Sequence, residues 1–446
     1  MDIDKLIKKL KSTDDPRVKV GITDIDGVLR GKILRKNKFL EVLESGSGFC
    51  DVVFGWDVSD KAYDNATVSG WHTGYPDITY HIDPSTFRQI PWDENIPFFL
   101  GDFSQSDHPA CPRNLLKKVI QKASSLKYTP FFSQEFEWFN FNETPESLHA
   151  KGGVNPEPLT PGMFGYSILR ASQKSEYFND LFTLLDEYGI PLEGLHTETG
   201  PGVYEAAIEY SEILLAADRA TLFKHAVKEI ASKHGIMASF MAKWNRDLPG
   251  CSGHIHQSLW KDGQNIFFDE QNPQNISETM RHYIAGQLKA LPEILPLFAP
   301  NINSYKRLVE GAWAPTTLTW AVDNRTTALR VINGSKNSTR LESRVPGSDV
   351  NPYLSQAAAL ASGLYGIQNK LELQAETKGS GYEDKTHGML PSNLMDATLK
   401  MNESKIAKEL FGEAFVDHFC RTREWECRQF AAQVTDWELK RYFEII

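Results

Sequence analysis

The chain has 446 residues and a formal net charge of −10, because 58 acidic residues outnumber 48 Lys and Arg residues. Hydrophobic residues make up 41% of the chain and aromatic residues 11%, which is enough for large cores and excludes a chain that is disordered throughout. The negative balance, with no Lys/Arg run longer than two residues, argues against binding to nucleic acid or to an anionic membrane surface.

The cysteines and the N-terminus bear on the compartment. The cysteines are odd in number and irregularly spaced, so neither a disulfide framework nor a zinc knuckle is indicated. The first 15 residues lack the apolar core of a signal peptide, and no stretch of 18 apolar residues follows. We therefore expect a cytoplasmic protein with free thiols at Cys50, Cys111, Cys251, Cys420 and Cys427.

The first hundred residues show mostly strand and turn patterns. After a short amphipathic helix with apolar residues from Ile3 to Leu10, Val18 to Ile22 forms a candidate strand, and Asp26-Gly27 predicts a hairpin turn. Two prolines, Pro109 and Pro112, then interrupt the chain. We place a domain boundary there, which predicts a domain of residues 1–105 and a second domain of residues 106–446.

The second domain mixes both kinds of element, which predicts the α+β class. Helical patterns appear at 114–126, 174–188, 212–234, 276–290 and 353–370; the third has apolar residues at helical spacing, and Gly189 and Gly235 end the second and third. Strand patterns appear at 131–141, 236–244, 253–260, 327–332 and 339–345.

Two carboxylates lie in the first of these strands, within FFSQEFEWFNF. Glu135 and Glu137 are two residues apart and therefore share one face, while Phe136 and Trp138 face the other way. Two carboxylates beside each other in an aromatic strand need a compensating cation. The alternative is a strand face that is simply solvated.

A second group of carboxylates lies in HTETGPGVYE. Its Gly-Pro-Gly segment predicts a tight turn that folds Glu205 back beside Glu198, close to His196. Taken alone, this motif is more often an ordinary acidic loop than a binding site.

GCSGHIHQSLW places His254, His256 and Ser258 on one strand face behind a loop of small residues. A single histidine is usually a structural residue, but a pair on one face makes a metal or phosphate site about equally plausible.

Arginines recur in the last third, as Arg307, Arg325 and Arg330, and then in TRLESRV, where Glu342 stands between Arg340 and Arg344. Guanidinium groups suit phosphate and carboxylate anions. A structural ladder of ion pairs is the alternative.

Together these motifs favour phosphoryl transfer. A carboxylate-rich set of ligands prefers Mg²⁺ or Mn²⁺ to Zn²⁺, and arginines beside a hard metal suit nucleotide chemistry. No GxxxxGK[ST] and no HExxH occurs, so neither a P-loop nor a zinc protease is indicated.

The order of GHIHQSL, NSYKRLV, NRTTALR and RLESRVPGSDVNPYL resembles the glutamine synthetase family from about Lys19 to at least Leu399. The resemblance implies an N-terminal β-grasp domain, followed by a larger catalytic domain built on an antiparallel sheet with surrounding helices. It also implies a homo-oligomer, usually a dodecamer of two hexameric rings, with active sites between subunits. ATP and two or three Mg²⁺ or Mn²⁺ ions per site would serve the reaction.

The resemblance also implies roles for individual residues. One metal would be held by Glu137, Glu198 and Glu205, and another by Glu135, His254 and Glu342. ATP would contact Glu193, His256, Ser258, Arg330 and Arg340. Glutamate would be held by Gly250, Arg307 and Arg344, and Arg325 would stabilise the transferred phosphoryl group.

Two positions depart from the ammonia-using enzymes. Their flap carries a glutamate that binds and deprotonates ammonium, and Trp313 in EGAWAP takes its place. Their ammonium-binding aspartate has only an approximate counterpart, Asp57. Because Trp can pack on an organic amine but cannot accept a proton, we predict a ligase that joins the γ-carboxylate of glutamate to an organic amine through γ-glutamyl phosphate.

The alternatives are a glutamine synthetase that uses ammonia and a non-catalytic structural member of the family. The sequence does not identify the amine. Tyr382 lies in the region where some members are adenylylated, but its flanking residues differ from theirs.

Overall fold

The structure is a computed structural model that describes residues 3–12, 15–103 and 107–446. Its N-terminal part is a sheet with two helices. The elements in chain order are α1 (Ile3–Ser12), β1 (Arg17–Thr23), β2 (Leu29–Arg35), α2 (Lys36–Ser45), β3 (Ser47–Cys50), β4 (Asp77–Ile82), β5 (Arg88–Ile90) and β6 (Ile96–Asp102).

The N-terminal sheet has the strand order β2-β1-β6-β4-β3, with β5 paired to β6. The predicted hairpin is confirmed, since β1 and β2 are antiparallel over their whole length and Gly27 takes the left-handed conformation in the turn, at φ 84°. β1 also pairs with β6, in parallel. The predicted domain boundary at residues 105 and 106 falls outside the described residues, between β6 and the next helix.

The larger part begins with α3 and is organised around a second sheet. Its elements are α3 (Pro112–Ser125), β7 (Thr129–Phe141), α4 (Pro145–Ala150), α5 (Ile168–Gln173), α6 (Ser175–Glu187), β8 (Leu192–Thr197), β9 (Val203–Ile208), β10 (Ser211–Glu212), α7 (Ile213–Lys233), β11 (Met237–Ser239), β12 (Gly253–Lys261), β13 (Gln264–Asn265), α8 (Glu278–Ile294), α9 (Ser304–Arg307), β14 (Trp320–Val322), β15 (Leu329–Ile332), β16 (Arg340–Ser343), α10 (Pro352–Gln368), α11 (Leu394–Glu403), α12 (Lys405–Phe411), α13 (Glu413–Ala431) and α14 (Asp436–Tyr442).

The second sheet has the order β14-β15-β16-β12-β7-β9-β8 and is antiparallel except between β14 and β15. Along β7 the alternation is as predicted, with Phe132, Phe136 and Trp138 fully buried. Phe136 and Trp138 pack against Phe223 of α7 on one face of the sheet. The opposite face of β7 therefore carries Glu135 and Glu137, and the α+β prediction is confirmed.

Two long helices, α8 and α10, pack closely within the main hydrophobic core. The contact depends on glycines, because a Cβ at Gly366 would lie 2.1 Å from the carbonyl oxygen of His282 and 2.6 Å from the Cα of Gly286. Any larger side chain there would push the helices apart. This core supports the sheet from the side opposite the carboxylates.

One strand prediction was too long. Residues 236–244 form a strand only over Met237–Ser239, because the chain then leaves β7 and Lys243 exchanges backbone hydrogen bonds with the Asn303 side chain. In the described part of the chain, no helix is both long and apolar enough to cross a membrane.

Candidate active site

A cluster of carboxylates and histidines lies across five neighbouring strands and owes its geometry to strand register. Glu135 is paired with His254, and Glu137 with Glu205. His256 is paired with Glu342, and His196 with Glu205. Residues directly opposite each other in a sheet have Cβ atoms about 4.5–5.5 Å apart, so their side chains converge on one face. We call Glu135, Glu137, His196, Glu198, Glu205, His254, His256 and Glu342 the cage.

The distances within the cage are those of groups that can share a cation. Nδ1 of His254 lies 3.4 Å from carboxylate oxygens of both Glu135 and Glu342. Nε2 of His256 lies 3.3 Å from the other oxygen of Glu135. Three sets of cage residues bring their ligand atoms within 4.8 Å of one another: Glu135, Glu205 and His254; Glu135, His256 and Glu342; and His196, Glu198 and Glu205.

The chemistry of His254 fits a metal ligand. Its Nε2 atom is buried and has no hydrogen-bond partner among the described residues. Burial, helped by the charge of Arg344, lowers the pKa of His254 to about 4, so the ring is neutral at pH 7. A metal needs an unprotonated imidazole nitrogen, and in the neutral ring Nδ1, the nitrogen that faces Glu135 and Glu342, can be the unprotonated one.

The cage carboxylates compete for protons. Burial and the neighbouring Glu135 carboxylate raise the pKa of Glu205, so it is protonated at neutral pH. Burial acts in the same direction on Glu135, but hydrogen bonds from Glu205, His254 and His256 outweigh it and lower the pKa of Glu135 well below its usual range. Burial also raises the pKa of Glu137 to about 7, although the backbone N–H of Ser252 donates to it at 2.7 Å. So much negative charge in a buried site calls for a multivalent cation.

The tight turn predicted at 200–202 joins β8 to β9. Gly202 has a φ of 68°, and a Cβ there would lie 2.4 Å from the carbonyl oxygen of Asn140, so this position requires glycine. The turn brings Glu198 and Glu205 to the two sides of His196, whose ring nitrogens lie 3.9 Å and 3.5 Å from them.

Glu342 joins the cage to the arginines. Arg344 donates from Nη1 to Glu342 at 2.5 Å, and Arg330 donates from Nη1 to its other oxygen at 3.0 Å. Burial would raise the pKa of Glu342, but the charges of His254, His256 and Arg344 outweigh it and lower the pKa to about 2. Glu342 is therefore ionised at all physiological pH values.

Arg307 and Gly250 lie beside the Glu137 end of the cage. Arg307 is buried and donates to the carbonyl oxygens of Val345 and Arg344 and to Oγ of Ser252, whose backbone N–H binds Glu137. A Cβ at Gly250 would lie 3.0 Å from Cγ of Arg307 and 2.5 Å from the carbonyl oxygen of Ala242. Gly250 thus lets the chain pass close to the arginine.

A cavity of about 350 Å³ opens next to the cage. Four of the five residues that the sequence assigned to ATP line it: Glu193, His256, Ser258 and Arg340. The fifth, Arg330, lies at the Glu342 side. Glu135 and His256 line the cavity and also belong to the cage, so the cavity and the cage are continuous.

Three aromatic residues of this cavity were not predicted. The Phe131 ring lies 6.1 Å from the Tyr210 ring and 5.6 Å from the Trp260 ring, and all three line the cavity. Trp260 could have been found, because it continues the face of His254, His256 and Ser258 along β12. Tyr210 and Phe131 meet it only through tertiary structure.

The residues on the amine side are more dispersed. Trp313 is 61% exposed and lies in a turn with a φ of 56°. Arg325 is exposed, and its charge acts on the hydroxyl of Tyr166, whose ring lies against that of His196, tilted by 30° with the centroids 4.6 Å apart. Tyr166 carried no sequence signal.

Asp57 lies in the N-terminal part of the chain, and its side chain does not contact the cage residues. Its carboxylate accepts hydrogen bonds from the backbone of Ser59 and Lys61 and from Nε1 of Trp425, on α13. Within one chain it therefore contacts α13 rather than the cage.

Comparison with known proteins gives the same family that the sequence motifs indicated. Residues 109–442 match the family model described as glutamine synthetase, catalytic domain. "Type-1 glutamine synthetase 2" of Dictyostelium discoideum is 56% identical, covering 99% of this chain and 86% of that protein. "Glutamate--isopropylamine ligase" of Pseudomonas sp is 38% identical, covering 96% of this chain and 95% of that protein. "Gamma-glutamylethanolamide synthetase GlnA4" of Streptomyces coelicolor is 37% identical, covering 100% and 96%.

The fold agrees with a solved structure titled "GmaS/ADP complex-Conformation 1", with a TM-score of 0.85 and 26% identity over 98% of this chain and 99% of that one. Fold, site and relatives define an ATP-dependent ligase. The chain belongs to the glutamine synthetase family, because the family model matches most of its length and the relatives cover nearly all of it.

Proposed function

We propose that this protein joins the γ-carboxylate of glutamate to an organic amine at the expense of ATP. The transfer of a phosphoryl group from ATP to glutamate is supported by the cavity, which is continuous with the cage through Glu135 and His256. The observation that carries the amine half is Trp313 at the flap position, supported by the two relatives whose names specify isopropylamine and ethanolamide.

The nucleotide would bind with its base among Phe131, Tyr210 and Trp260 and its phosphates toward the cage. Base stacking on aromatic rings is favourable for any base, and the polar lining would then orient the ribose and phosphates. His256 and Arg340, which share a hydrogen bond of 3.2 Å, would hold the phosphate end. Arg330 would reach the same phosphates from β15.

The cage would hold two or three Mg²⁺ or Mn²⁺ ions through the residues named above. Such ions, when bound, supply positive charge to the phosphate oxygens during transfer. Arg344 and Arg307 would bind the carboxylates of glutamate, so that its γ-carboxylate oxygen attacks the γ-phosphorus in line and the bond to the ADP oxygen breaks. Positioning and charge neutralisation account for most of the acceleration in such reactions.

The resulting γ-glutamyl phosphate is an activated acyl group. The nitrogen of the neutral amine attacks the acyl carbon, the bond from that carbon to the phosphate oxygen breaks, and the departing phosphate takes up the proton that the nitrogen gives up. Exposed on its turn, the Trp313 indole would cover the carbon substituent of the amine and attract the protonated amine as it enters, before the nitrogen loses a proton and becomes nucleophilic. Arg325, at the open side of the cage, would stabilise the charge of the transferred phosphoryl group.

Ammonia is the second candidate nucleophile. The Dictyostelium relative that is 56% identical carries the name of a glutamine synthetase, and this identity exceeds that of both amine ligases cited above. The two candidates differ only in the amine pocket and share the cage and the cavity.

The deciding experiment measures phosphate release with glutamate, ATP and Mg²⁺ or Mn²⁺ against ammonium, isopropylamine, ethanolamine, putrescine and benzylamine. We expect at least one organic amine to give a higher kcat/KM than ammonium. If ammonium is used far better than every organic amine, the amine-ligase proposal is wrong and the ammonia-using alternative stands. Absence of ATP and Mn²⁺ binding by calorimetry would instead support a structural, non-catalytic role.

Variants of Trp313 in the flap test whether this residue selects the amine. Trp313→Ala removes the ring face, whose attraction for a cation is about 0.5–2 kcal/mol, so KM for the best amine should rise roughly 2- to 30-fold while KM for ATP is unchanged. Trp313→Glu provides a proton acceptor and should shift the preference toward ammonium. Equal changes for ammonium and amine would argue against a role for Trp313 in amine selection.

Finer features of the architecture are also part of the proposal. The sheet of β1 to β6, with its β1–β2 hairpin and the parallel β1–β6 pair, supports a β-grasp domain of residues 1–105, and residues 106–446 would form the catalytic domain. We further propose a dodecamer in which Asp57 approaches the amine pocket of the neighbouring subunit. The five free thiols agree with the cytoplasm as the compartment.

A further inference from the structure

Tyr382 lies in the connection between α10 and α11. This connection is hydrogen-bonded to the residues that follow the flap, which is the segment 310–315 that carries Trp313. The backbone N–H of Gly381 donates to Oγ1 of Thr326 at 2.7 Å, and Oγ1 of Thr317 donates to the carbonyl oxygen of Gly381 at 2.6 Å. Further along, the backbone of Leu318 binds Gly388 and that of Leu390 binds Thr316. Residues 316–318, which follow Pro315, thus bind the connection on both sides of Tyr382, at Gly381 and at Gly388 and Leu390.

The hydroxyl of Tyr382 is buried and forms no hydrogen bond of standard geometry with any described residue. The backbone N–H of Trp313 is close enough to act on it, as are the charges of Arg344 and Arg307. Burial raises the pKa of Tyr382, so the group is a neutral phenol at pH 7.

The flap that carries Trp313 is tied to the same segment. Lys385 and Glu310 form an ion pair of 3.0 Å, and Gly311 and Trp313 both have positive φ values, of 78° and 56°. The indole and the phenol therefore lie on two adjoining segments, next to the arginines that would hold glutamate. Because no hydrogen bond of standard geometry satisfies this buried hydroxyl, a ligand that pairs with it would recover part of the cost of burying it.

We propose that Tyr382 is a specificity-determining residue of the amine pocket, whose hydroxyl hydrogen-bonds the nitrogen of the incoming amine while Trp313 covers the carbon substituent. This inference rests on the proposed amine-ligase function. The hydroxyl accepts an N–H of the neutral amine and so directs the nitrogen lone pair toward the acyl phosphate. No covalent bond to Tyr382 forms.

The test compares Tyr382→Phe with Tyr365→Phe, which makes the same chemical change on α10. With the full-length enzyme and the best amine of the panel, Tyr382→Phe should lower kcat/KM about 10-fold, as expected for one lost hydrogen bond to a buried group. KM for glutamate and the affinity for ADP by calorimetry should stay within about twofold of the parent, because Phe retains the packing. Tyr365→Phe should change none of these values.

Two results would overturn the inference. Parental kcat/KM for the amine in Tyr382→Phe would show that the hydroxyl does not contact it, and equal losses in amine use and ADP affinity would indicate a structural role. Both leave the proposed function intact if the parent enzyme prefers an organic amine. A parent enzyme that prefers ammonium overturns the proposed function first and this inference with it.

Discussion

Arg344 donates from Nη1 to Oε1 of Glu342 at 2.5 Å, in the interior of the sheet. The same carboxylate is shared with Arg330 and lies 3.4 Å from His254. One acidic side chain therefore connects the expected glutamate site, the expected phosphate site and the cage.

Removing this carboxylate should affect both ligands and stability. Glu342→Ala leaves two arginines without their shared partner, and breaking a buried pair in this way typically costs about 3–5 kcal/mol. We expect weaker Mn²⁺ and ATP binding by calorimetry and a lower free energy of unfolding in urea. Glu403→Ala, an exposed acidic position on α11, is the control. Full activity in Glu342→Ala would mean that Glu342 has no part in the site.

Asp323 should act as a positioning residue for Arg330. Arg330 donates to Oδ1 of Asp323 from Nε at 3.1 Å and from Nη2 at 2.5 Å, which leaves Nη1 for Glu342. Without this anchor the guanidinium loses its orientation, so Asp323→Ala should raise KM for ATP several-fold with little change in KM for glutamate. Asp323→Glu, which keeps a carboxylate, should restore part of the loss. A change confined to glutamate would contradict this role.

The cage should take up cations in exchange for protons. The pKa values of Glu205 and Glu137 are raised above that of a free carboxyl, to about 7 for Glu137, so these two groups hold protons in the metal-free native state that they lose in the unfolded state. The pKa of His254 is lowered to about 4, so this ring acts in the opposite direction up to about pH 6.5. Above about pH 6.5 the histidine is neutral in both states and only the carboxyls still differ within the cage, so the free energy of unfolding measured with a chelator should fall as pH rises from about 6.5 to 8. Metal affinity should rise over the same range, because bound metal requires ionised ligands.

Calorimetry in two buffers of different ionisation enthalpy measures the protons released on Mn²⁺ binding. Glu137→Gln should release fewer protons than the parent protein and show a weaker pH dependence between pH 6 and 8. Metal affinity that is constant over this range in the parent protein would show that the carboxyls are already ionised.

The aromatic wall of the cavity should contribute to nucleotide affinity. Stacking of a base on an aromatic side chain is worth about 1–3 kcal/mol, so Tyr210→Ala should raise KM for ATP roughly 5- to 150-fold, while Tyr210→Phe retains most of the affinity. ADP should also change the fluorescence of Trp260 in the parent protein. If Tyr210→Ala binds ADP as well as the parent, the base occupies another part of the cavity.

Much of the site was predictable because the face on which each side chain lies depends on the local sequence of its strand. Alternation along a strand needs only neighbouring residues, and it correctly placed Glu135 with Glu137 and His254 with His256 on shared faces. The glycines of the turn at 200–202 likewise predicted that Glu198 and Glu205 lie close together. Helix α7 followed from its apolar periodicity in the same way.

The remaining features depend on contacts between distant parts of the chain. His254 meets Glu135 across 119 residues because β12 and β7 pair in one register, and a shift by one residue would turn one of them to the other face. No local pattern encodes that register, nor the wall made by Phe131, Tyr210 and Trp260, nor the approach of Tyr382 to the flap. The sequence by itself determined the α+β class, the residue types of the candidate metal ligands, and the presence of Trp313 where the ammonia-using enzymes carry a glutamate. Only the tertiary structure decided which ligands face each other and where the cavity opens, since strand pairing and packing bring together residues that the chain keeps apart.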